Sequence, residues 1–339
     1  MIIGEVNMKR IILLLFLMLG VFLLVGCKEA KNTQESFLTM VSESKGYKVE
    51  GVLETFFENG RKQSDFTVCY KQPDLYKVEL QSVENSDKQI ILKNKEGVYV
   101  LVPSVNKNFK IKSTWPSNAS YPYLLQSLSQ DLVNDKEQVV TETETTYIVQ
   151  TKTKMHTDAD AVSQKIIFSK ETNLPTEVLV YENDGDLFMR VVFKTINLEY
   201  NVSDDEFDVE KSMTSAYLTF GENGLVFNDR NFSLPTYCPE GLTLKSNESV
   251  KDGEDARTVM LFSGSSNLTI VQELINYKEE MVNCVEDGEL VMVMGNVGIV
   301  NDNYVKFVFE GIEYTIASNN LTLNELLNVS SSYMQTENK

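Results

Sequence analysis

Histidine is nearly absent from this sequence, since the 339 residues contain one, His156. Common serine and cysteine hydrolases need a base with a pKa near neutrality beside the nucleophile, and zinc sites usually draw on several histidines. A glycine-rich phosphate loop is also missing, because Gly295 and Gly298 alone have the wrong spacing. The sequence therefore predicts no such catalytic residues, no metal site and no cofactor, and it places His156 in a solvated loop.

Carboxylates are abundant, so a two-acid glycosidase is not excluded by counting the 49 aspartates and glutamates. The acidic clusters at 183–186 and 203–208, however, fall in polar turns, and solvated turns explain them without catalysis. Residues 183–186 also lack the remaining ligands of a calcium-binding loop. We therefore predict a protein that is not an enzyme.

Basic residues are outnumbered, with 31 lysines and arginines and a net charge of −18. A surface of this sign repels nucleic acid and anionic lipid headgroups. The composition excludes a nucleic-acid partner, and it means that any attachment to a membrane has to come from acyl chains.

Cysteine is sparse. Cys69, Cys238 and Cys284 follow Cys27 at spacings that match no metal-binding pattern. Their odd number prevents all three from pairing within one chain. Two alternatives remain open: a disulfide between Cys238 and Cys284 in an oxidising compartment, or three buried free thiols.

Long apolar runs are limited to one, at residues 11–25, which follows the basic pair Lys9 and Arg10. This is the pattern of a secretory signal, and the run is short of the roughly 20 residues that a membrane-spanning helix needs. It ends in Leu-Val-Gly-Cys at 24–27, a lipobox. We expect cleavage after Gly26, attachment of diacylglycerol and acyl chains such as palmitate to Cys27, and residence on the extracytoplasmic face of the cell membrane; an uncleaved transmembrane anchor is the alternative.

Alternation of apolar and polar residues dominates the next part of the chain. Phe66, Val68 and Tyr70 alternate with polar neighbours, and about ten such segments follow one another between residues 47 and 198. The Asn59–Gly60 and Asp184–Gly185 dipeptides favour hairpin turns. We predict one large antiparallel sheet with a dry face and a wet face.

Two helices are available to cover the dry face. One is expected at 33–45, and the other at 122–134, where four leucines recur at helical spacing. These lid leucines are Leu124, Leu125, Leu128 and Leu132. The predicted fold is α+β and mainly antiparallel, a curved half-barrel covered by helices, and the space under the lid is either packed or a greasy cavity.

A second, small α+β domain is predicted after Pro235, with five strands and a final helix that begins at the capping box of Thr322 and Glu325. The expected division is 1–26 signal peptide, 27–32 lipidated tether, 33–213 half-barrel, 214–233 linker and 234–339 small α+β domain.

Particular motifs resemble a known family. Gln-Pro-Asp-Leu-Tyr-Lys at 72–77 and Gly-Val-Tyr-Val-Leu-Val-Pro at 97–103 are similar to strands of the LolA/LolB-type lipoprotein carriers. The stretches at 102–109, 115–120 and 132–137 resemble one branch of that family, the firmicute sporulation and germination lipoproteins of the YdcC and GerS type. The carriers place an arginine before the strand's proline to control the lid, whereas this chain has Gln72.

The resemblance implies a lipoprotein that acts in spore formation or germination as a binding or regulatory module. It implies a protein partner such as a spore-cortex amidase, or an acyl ligand under the lid helix, and a homodimer is an open alternative because relatives exchange strands. Other readings are an envelope sensor that regulates an anti-sigma factor, and a lipoprotein or lipid carrier.

The lipobox generates a direct prediction. Cys27→Ala removes the only thiol that can take the lipid, so the unprocessed or misprocessed protein is expected to leave the membrane fraction. Fractionation and electrophoretic mobility measure this. Unchanged membrane retention with a normal size shift would contradict the anchor, and Cys69→Ala, which leaves the lipobox intact, is the matched control.

Overall fold

The computed structural model describes residues 32–57, 60–85, 87–155, 161–218, 231–252, 255–277 and 280–333. The predicted signal peptide, Gly26, Cys27, Asn59 and His156 lie outside these residues. The predicted fold class is confirmed, because mainly antiparallel strands form two open sheets, of twelve and seven strands, accompanied by helices. In the described part of the chain, every helix is too short or too polar to cross a membrane.

The first unit begins with helix α1 at 32–43 and ends with helix α3. Ten of its eleven strands match the predicted alternating segments, and β7 was not predicted. They are β1 Gly46–Phe57, β2 Gly60–Lys71, β3 Leu75–Ser82, β4 Lys88–Asn94, β5 Gly97–Val102, β6 Lys107–Lys112, β7 Val139–Glu142, β8 Thr146–Lys152, β9 Ala161–Ser169, β10 Pro175–Glu182 and β11 Leu187–Asn197, with helices α2 Leu125–Asn134 and α3 Val209–Leu218.

The second unit contains eight further strands and one helix. They are β12 Leu242–Asp252, β13 Asp255–Gly264, β14 Asn267–Leu274, β15 Val282–Asp287, β16 Glu289–Val293, β17 Asn296–Val300, β18 Tyr304–Phe309, β19 Ile312–Ala317 and helix α4 Leu323–Ser331. The capping box predicted for α4 is confirmed: the Thr322 hydroxyl accepts from the Glu325 backbone N–H, and the Glu325 carboxylate accepts from that of Thr322.

Strand order explains why a lid forms. In the large sheet the order is β15-β6-β5-β4-β3-β2-β1-β11-β10-β9-β8-β7. Strands β6 and β7 are consecutive in the chain but ten positions apart in this order. The connection at 113–138, which contains α2, therefore has to cross the sheet, and we call the face that it covers the inner face.

One register row shows how apolar the inner face is. Val49, Val68, Val78, Ile91 and Val100 face one another across five neighbouring strands. None of these side chains is more than 3% exposed. Burying aliphatic side chains of this size contributes about 1.5–3 kcal/mol each, so this row forms a central part of the core.

Strand β15 joins the two units. It comes from the second unit, yet it pairs in parallel with β6 of the large sheet, from Val282 beside Lys107 to Asp287 beside Lys112. The sequence analysis did not predict this strand, because residues 282–287 have no consistent apolar alternation. The large sheet therefore ends in a strand contributed by the second unit.

The second sheet also packs onto the inner face. Leu290 and Met292 of β16, Val297 and Ile299 of β17 and Val308 of β18 belong to the core of the first unit. The opposite side of the same strands packs against α4, through Val293, Phe307 and Leu326 among others. Each face of this part of the sheet is thus buried, and the two units share one core.

A buried ion cluster lies beside this contact. The Lys107 ammonium pairs with the Glu313 carboxylate, whose side chain is 6% exposed. Lys306 lies 2.6 Å from Glu286 and 3.8 Å from Glu313. Lys107 belongs to the first unit and Glu286 to β15, so the cluster links three parts of the chain.

In the described residues Cys69, Cys238 and Cys284 are free thiols, which agrees with the second of the two alternatives and not with a Cys238–Cys284 disulfide. Cys284 packs against the first core and Cys238 against the second, and each thiol is partly buried there. Burial raises the pKa of the Cys69 thiol to about 11, which keeps it protonated and unreactive at neutral pH.

The ion cluster generates a stability prediction. Glu313→Gln leaves Lys107 buried without its charge partner, and breaking a buried pair lowers the free energy of unfolding by about 3–5 kcal/mol. Urea denaturation of the full chain measures this. The matched control is Glu273→Gln, because Glu273 pairs with Arg257 at an exposed site and its loss should change stability by less than about 1 kcal/mol. Equal effects of the two substitutions would contradict a shared buried interface.

Candidate functional site

The lid leucines all lie against the inner face. Leu124 immediately precedes α2, and Leu125, Leu128 and Leu132 lie within it. Leu124, Leu125 and Leu128 are fully buried, and Leu132 is 5% exposed. The helical spacing that the sequence shows therefore presents one apolar stripe to the sheet.

An aromatic series continues from the sheet into the lid connection. The ring centroids of Tyr70 and Tyr76 lie 4.9 Å apart, those of Tyr76 and Trp115 5.6 Å, and those of Trp115 and Tyr121 5.9 Å. Trp115 and Tyr123 are fully buried. This aromatic cluster beside the lid thus packs in the core, where edge-on ring contacts are favourable.

A buried carboxylate fastens the lid. Asp131 of α2 accepts a hydrogen bond of 2.7 Å from the Ser120 hydroxyl and one of 2.6 Å from the Gln164 amide of β9. Burial raises the pKa of the Asp131 carboxyl above its ordinary value of 3.8, while the two hydrogen bonds act in the opposite direction. This carboxylate joins the lid connection, the lid helix and the sheet.

A second contact between the lid and the sheet joins Gln126 to Tyr47. The Tyr47 hydroxyl of β1 donates to the Gln126 side chain of α2. Gln72, at the position where the carriers have arginine, bonds through its backbone N–H to the Lys45 carbonyl at 3.0 Å. Gln72 also lines a groove at the outer face of the sheet.

The outer face of the large sheet carries two small apolar clusters. One contains Ile90, Tyr99 and Leu101 with Met213 of α3, and the other contains Cys69 with Phe207. Between them lies an open groove of about 860 Å³. It is bordered by the turns at 72–75 and 94–96, by 204–210, and by Met281 and Asn283 of the second unit.

The two acidic turns have different positions. Residues 203–208 border the groove, whereas 183–186 form the turn between β10 and β11, in which the Asp184 side chain accepts from the Asp186 backbone N–H at 3.1 Å. Within the described ranges no three acidic, cysteine or histidine side chains converge in a way that could hold a metal ion. The clusters therefore behave as turn and rim residues.

The open, mainly antiparallel sheet covered by helix α2 has the α+β architecture predicted from the sequence. The chain belongs to the family of YdcC-like sporulation proteins, whose family model matches residues 7–207. It is 27% identical to the sporulation protein YdcC of Bacillus subtilis (strain 168) over 337 residues, which cover 98% of each chain. The resemblance stated from the motifs is thereby confirmed.

Solved structures are more distant. A LolA superfamily protein from Nitrosomonas europaea is 10% identical with a TM-score of 0.30, covering 52% of this chain and 97% of its own. The complex of the CwlD amidase from Clostridioides difficile with the GerS lipoprotein matches at 13% identity and a TM-score of 0.23, covering 51% of this chain and 95% of that chain. At such scores nothing about function follows.

The sequence analysis missed the groove and two of the elements beside it, α3 and β15. The groove is assembled from five separate stretches, which no local pattern brings together. One signal was present: Asp208 precedes α3 and accepts from the Lys211 backbone N–H at 2.8 Å, which is the chemistry of a helix N-cap.

Two carboxylates of the lid predict opposite pH effects. The pKa of Asp131 is raised by burial, whereas hydrogen bonds from the Glu137 and Lys152 backbones lower that of Asp135 below 3.8. A raised acid pKa favours the folded state when protonated, so the stability of the wild type relative to Asp131→Asn should increase as pH falls. Relative to Asp135→Asn it should decrease, because the stabilisation from an ionised carboxylate is lost as pH falls through its folded pKa.

Urea denaturation from neutral pH to about pH 3 measures both differences, and each variant is the control for the other. Slopes of the same sign for the two variants would contradict the burial of Asp131 under the lid.

Proposed function

We propose that this chain is a lipid-anchored binding protein of the sporulating cell, placed on the extracytoplasmic face of its membrane, and that it regulates a protein partner without catalysing a reaction. Membership of a family of sporulation proteins supports a role in the sporulating cell. The lipobox at Cys27 supports the location, and the scarcity of histidine supports the absence of catalysis.

One observation favours a protein partner over an acyl ligand. The side chains that line the inner face are buried by the lid and by β16–β18 of the same chain. Leu290, Met292 and Val308 occupy positions against the sheet that an acyl chain under the lid would need. A ligand would have to displace the second unit, whereas a protein can bind the outer surface of the molecule as it stands.

A spore-cortex amidase is the first candidate partner, because the motifs at 102–109 and 115–120 resemble sporulation lipoproteins for which such a partner is expected. By binding a soluble or loosely attached amidase, the lipid-anchored chain would hold that enzyme next to the membrane. The acidic surface provides long-range attraction for a basic partner and thereby speeds association.

The proposed function has a direct test. The full-length protein, extracted in detergent from sporulating cells, is mixed with the purified amidase of the same cells and analysed by size exclusion with light scattering. We expect a complex of defined stoichiometry and a change in amidase activity. If the amidase elutes alone with unchanged activity, the partner assignment is wrong.

Native mass spectrometry of the same preparation distinguishes the proposed function from the two alternative functions. A lipid bound in stoichiometric amount in addition to the anchor would favour the carrier reading. Co-purification of an anti-sigma factor in place of the amidase would favour the sensor reading.

A further inference from the structure

The groove on the outer face has the features of a surface that receives an extended chain. It is concave, encloses about 860 Å³ and has an apolar floor that includes Tyr99 and Phe207. Tyr99 is 7% exposed and Phe207 4% exposed, so both are fixed in the packed clusters below. Volumes of this size are typical of sites that bind small molecules or peptide segments.

Both units of the chain contribute to this groove. Asn108 of β6 donates to the Asn283 side chain of β15 at 2.6 Å. Asn94 of β4 donates to the Phe207 backbone carbonyl at 3.1 Å and holds the 204–210 segment against the sheet. Met281 closes one end. The second unit therefore completes the lining of the groove through Met281 and Asn283, which couples the groove to the docking of that unit.

The rim of the groove is strongly negative. Six acidic side chains and two basic ones border it. They are Asp74, Glu96, Asp204, Asp205, Asp208 and Glu210, with Lys71 and Lys95. The carboxylates are spread along the rim and do not converge on one point, and within the described ranges no trio of ligands could hold a metal ion.

Some of this charge is already neutralised. Asp204 lies 2.5 Å from Lys71, Asp205 2.7 Å from Lys211, and Asp74 2.6 Å from Lys93. Glu96 and Glu210 form no ion pair with another described residue, and both are exposed. The Glu210 carboxylate is therefore available to a partner, and that of Glu96 accepts one long hydrogen bond, of 3.4 Å, from the Tyr99 hydroxyl.

We propose that this groove binds an extended basic segment of a partner protein. Lysine and arginine suit it, because their aliphatic stems can lie on the apolar floor while their charged groups reach the carboxylates of the rim. Nucleic acid and anionic headgroups have the wrong charge. The proposal rests on the proposed function, since it assigns the protein-binding role to a particular surface.

The test uses the full-length protein in detergent and a fluorescein-labelled nonapeptide of alternating arginine and alanine. Fluorescence anisotropy measures its affinity. We expect saturable binding that weakens with added salt, because exposed charges are screened. The same peptide with glutamate in place of arginine is expected not to bind, and equal binding of the two peptides would overturn the proposal.

Paired variants locate the site. Glu96→Gln with Glu210→Gln removes two charges of the rim and should weaken peptide binding by about tenfold, as expected for the loss of two charge contacts. Glu144→Gln with Glu171→Gln removes two exposed charges outside the groove and should change the affinity by less than about twofold. Equal weakening by both pairs would show attraction to the net charge of the chain and would overturn the assignment.

Two further measurements guard against misfolding of the variants and against binding of a small polycation. If the first pair lowers the melting temperature, Glu96→Gln and Glu210→Gln are measured singly, and unchanged affinity in both single variants contradicts the groove. Spermidine that binds as tightly as the peptide would reassign the groove to a polyamine and contradict a protein segment. A groove that binds the peptide while the amidase fails to bind overturns the partner assignment alone, and the reverse result overturns the groove alone.

Discussion

The inner face of the twelve-stranded sheet has to be covered, and the rest of the structure depends on this constraint. A row of four valines and one isoleucine runs across five of its strands. If this face were open to water, most of the apolar core would be exposed. The strand order requires the chain between β6 and β7 to cross the sheet. The crossing segment therefore carries Trp115, Tyr123 and the lid leucines, and Asp131 fixes it to β9.

The second unit completes this cover. Strands β16–β18 pack on the inner face, β15 extends the sheet, and the Lys107–Glu313 pair is buried between them. Because the interior is filled by the chain itself, the surfaces left for recognition are on the outside. The groove between α3 and the turns at 72–75 and 94–96 is such a surface, and docking of the second unit helps to form it.

Local patterns predict much of this fold. Alternation predicts ten of the twelve strands of the first sheet, leucine spacing predicts α2, and Thr322 with Glu325 predicts the start of α4. Helix α3 was missed because Val209, Met213 and Ala216 make a weak apolar stripe with a small residue in it. Strand β15 was missed because its pairing partner lies about 175 residues away, and long-range pairing leaves no local signal. The groove follows from those two elements, so it could not be predicted either.

The lone tryptophan provides the most direct measurement of the central claim, that the chain's own side chains fill the inner face. Trp115 is the only tryptophan in the sequence and lies fully buried under the lid. In the full-length protein, its fluorescence should be shielded from acrylamide and unaffected by a brominated fatty acid added in solution. Saturable quenching at about one brominated chain per protein would show that an acyl ligand enters beneath the lid, and it would contradict the account.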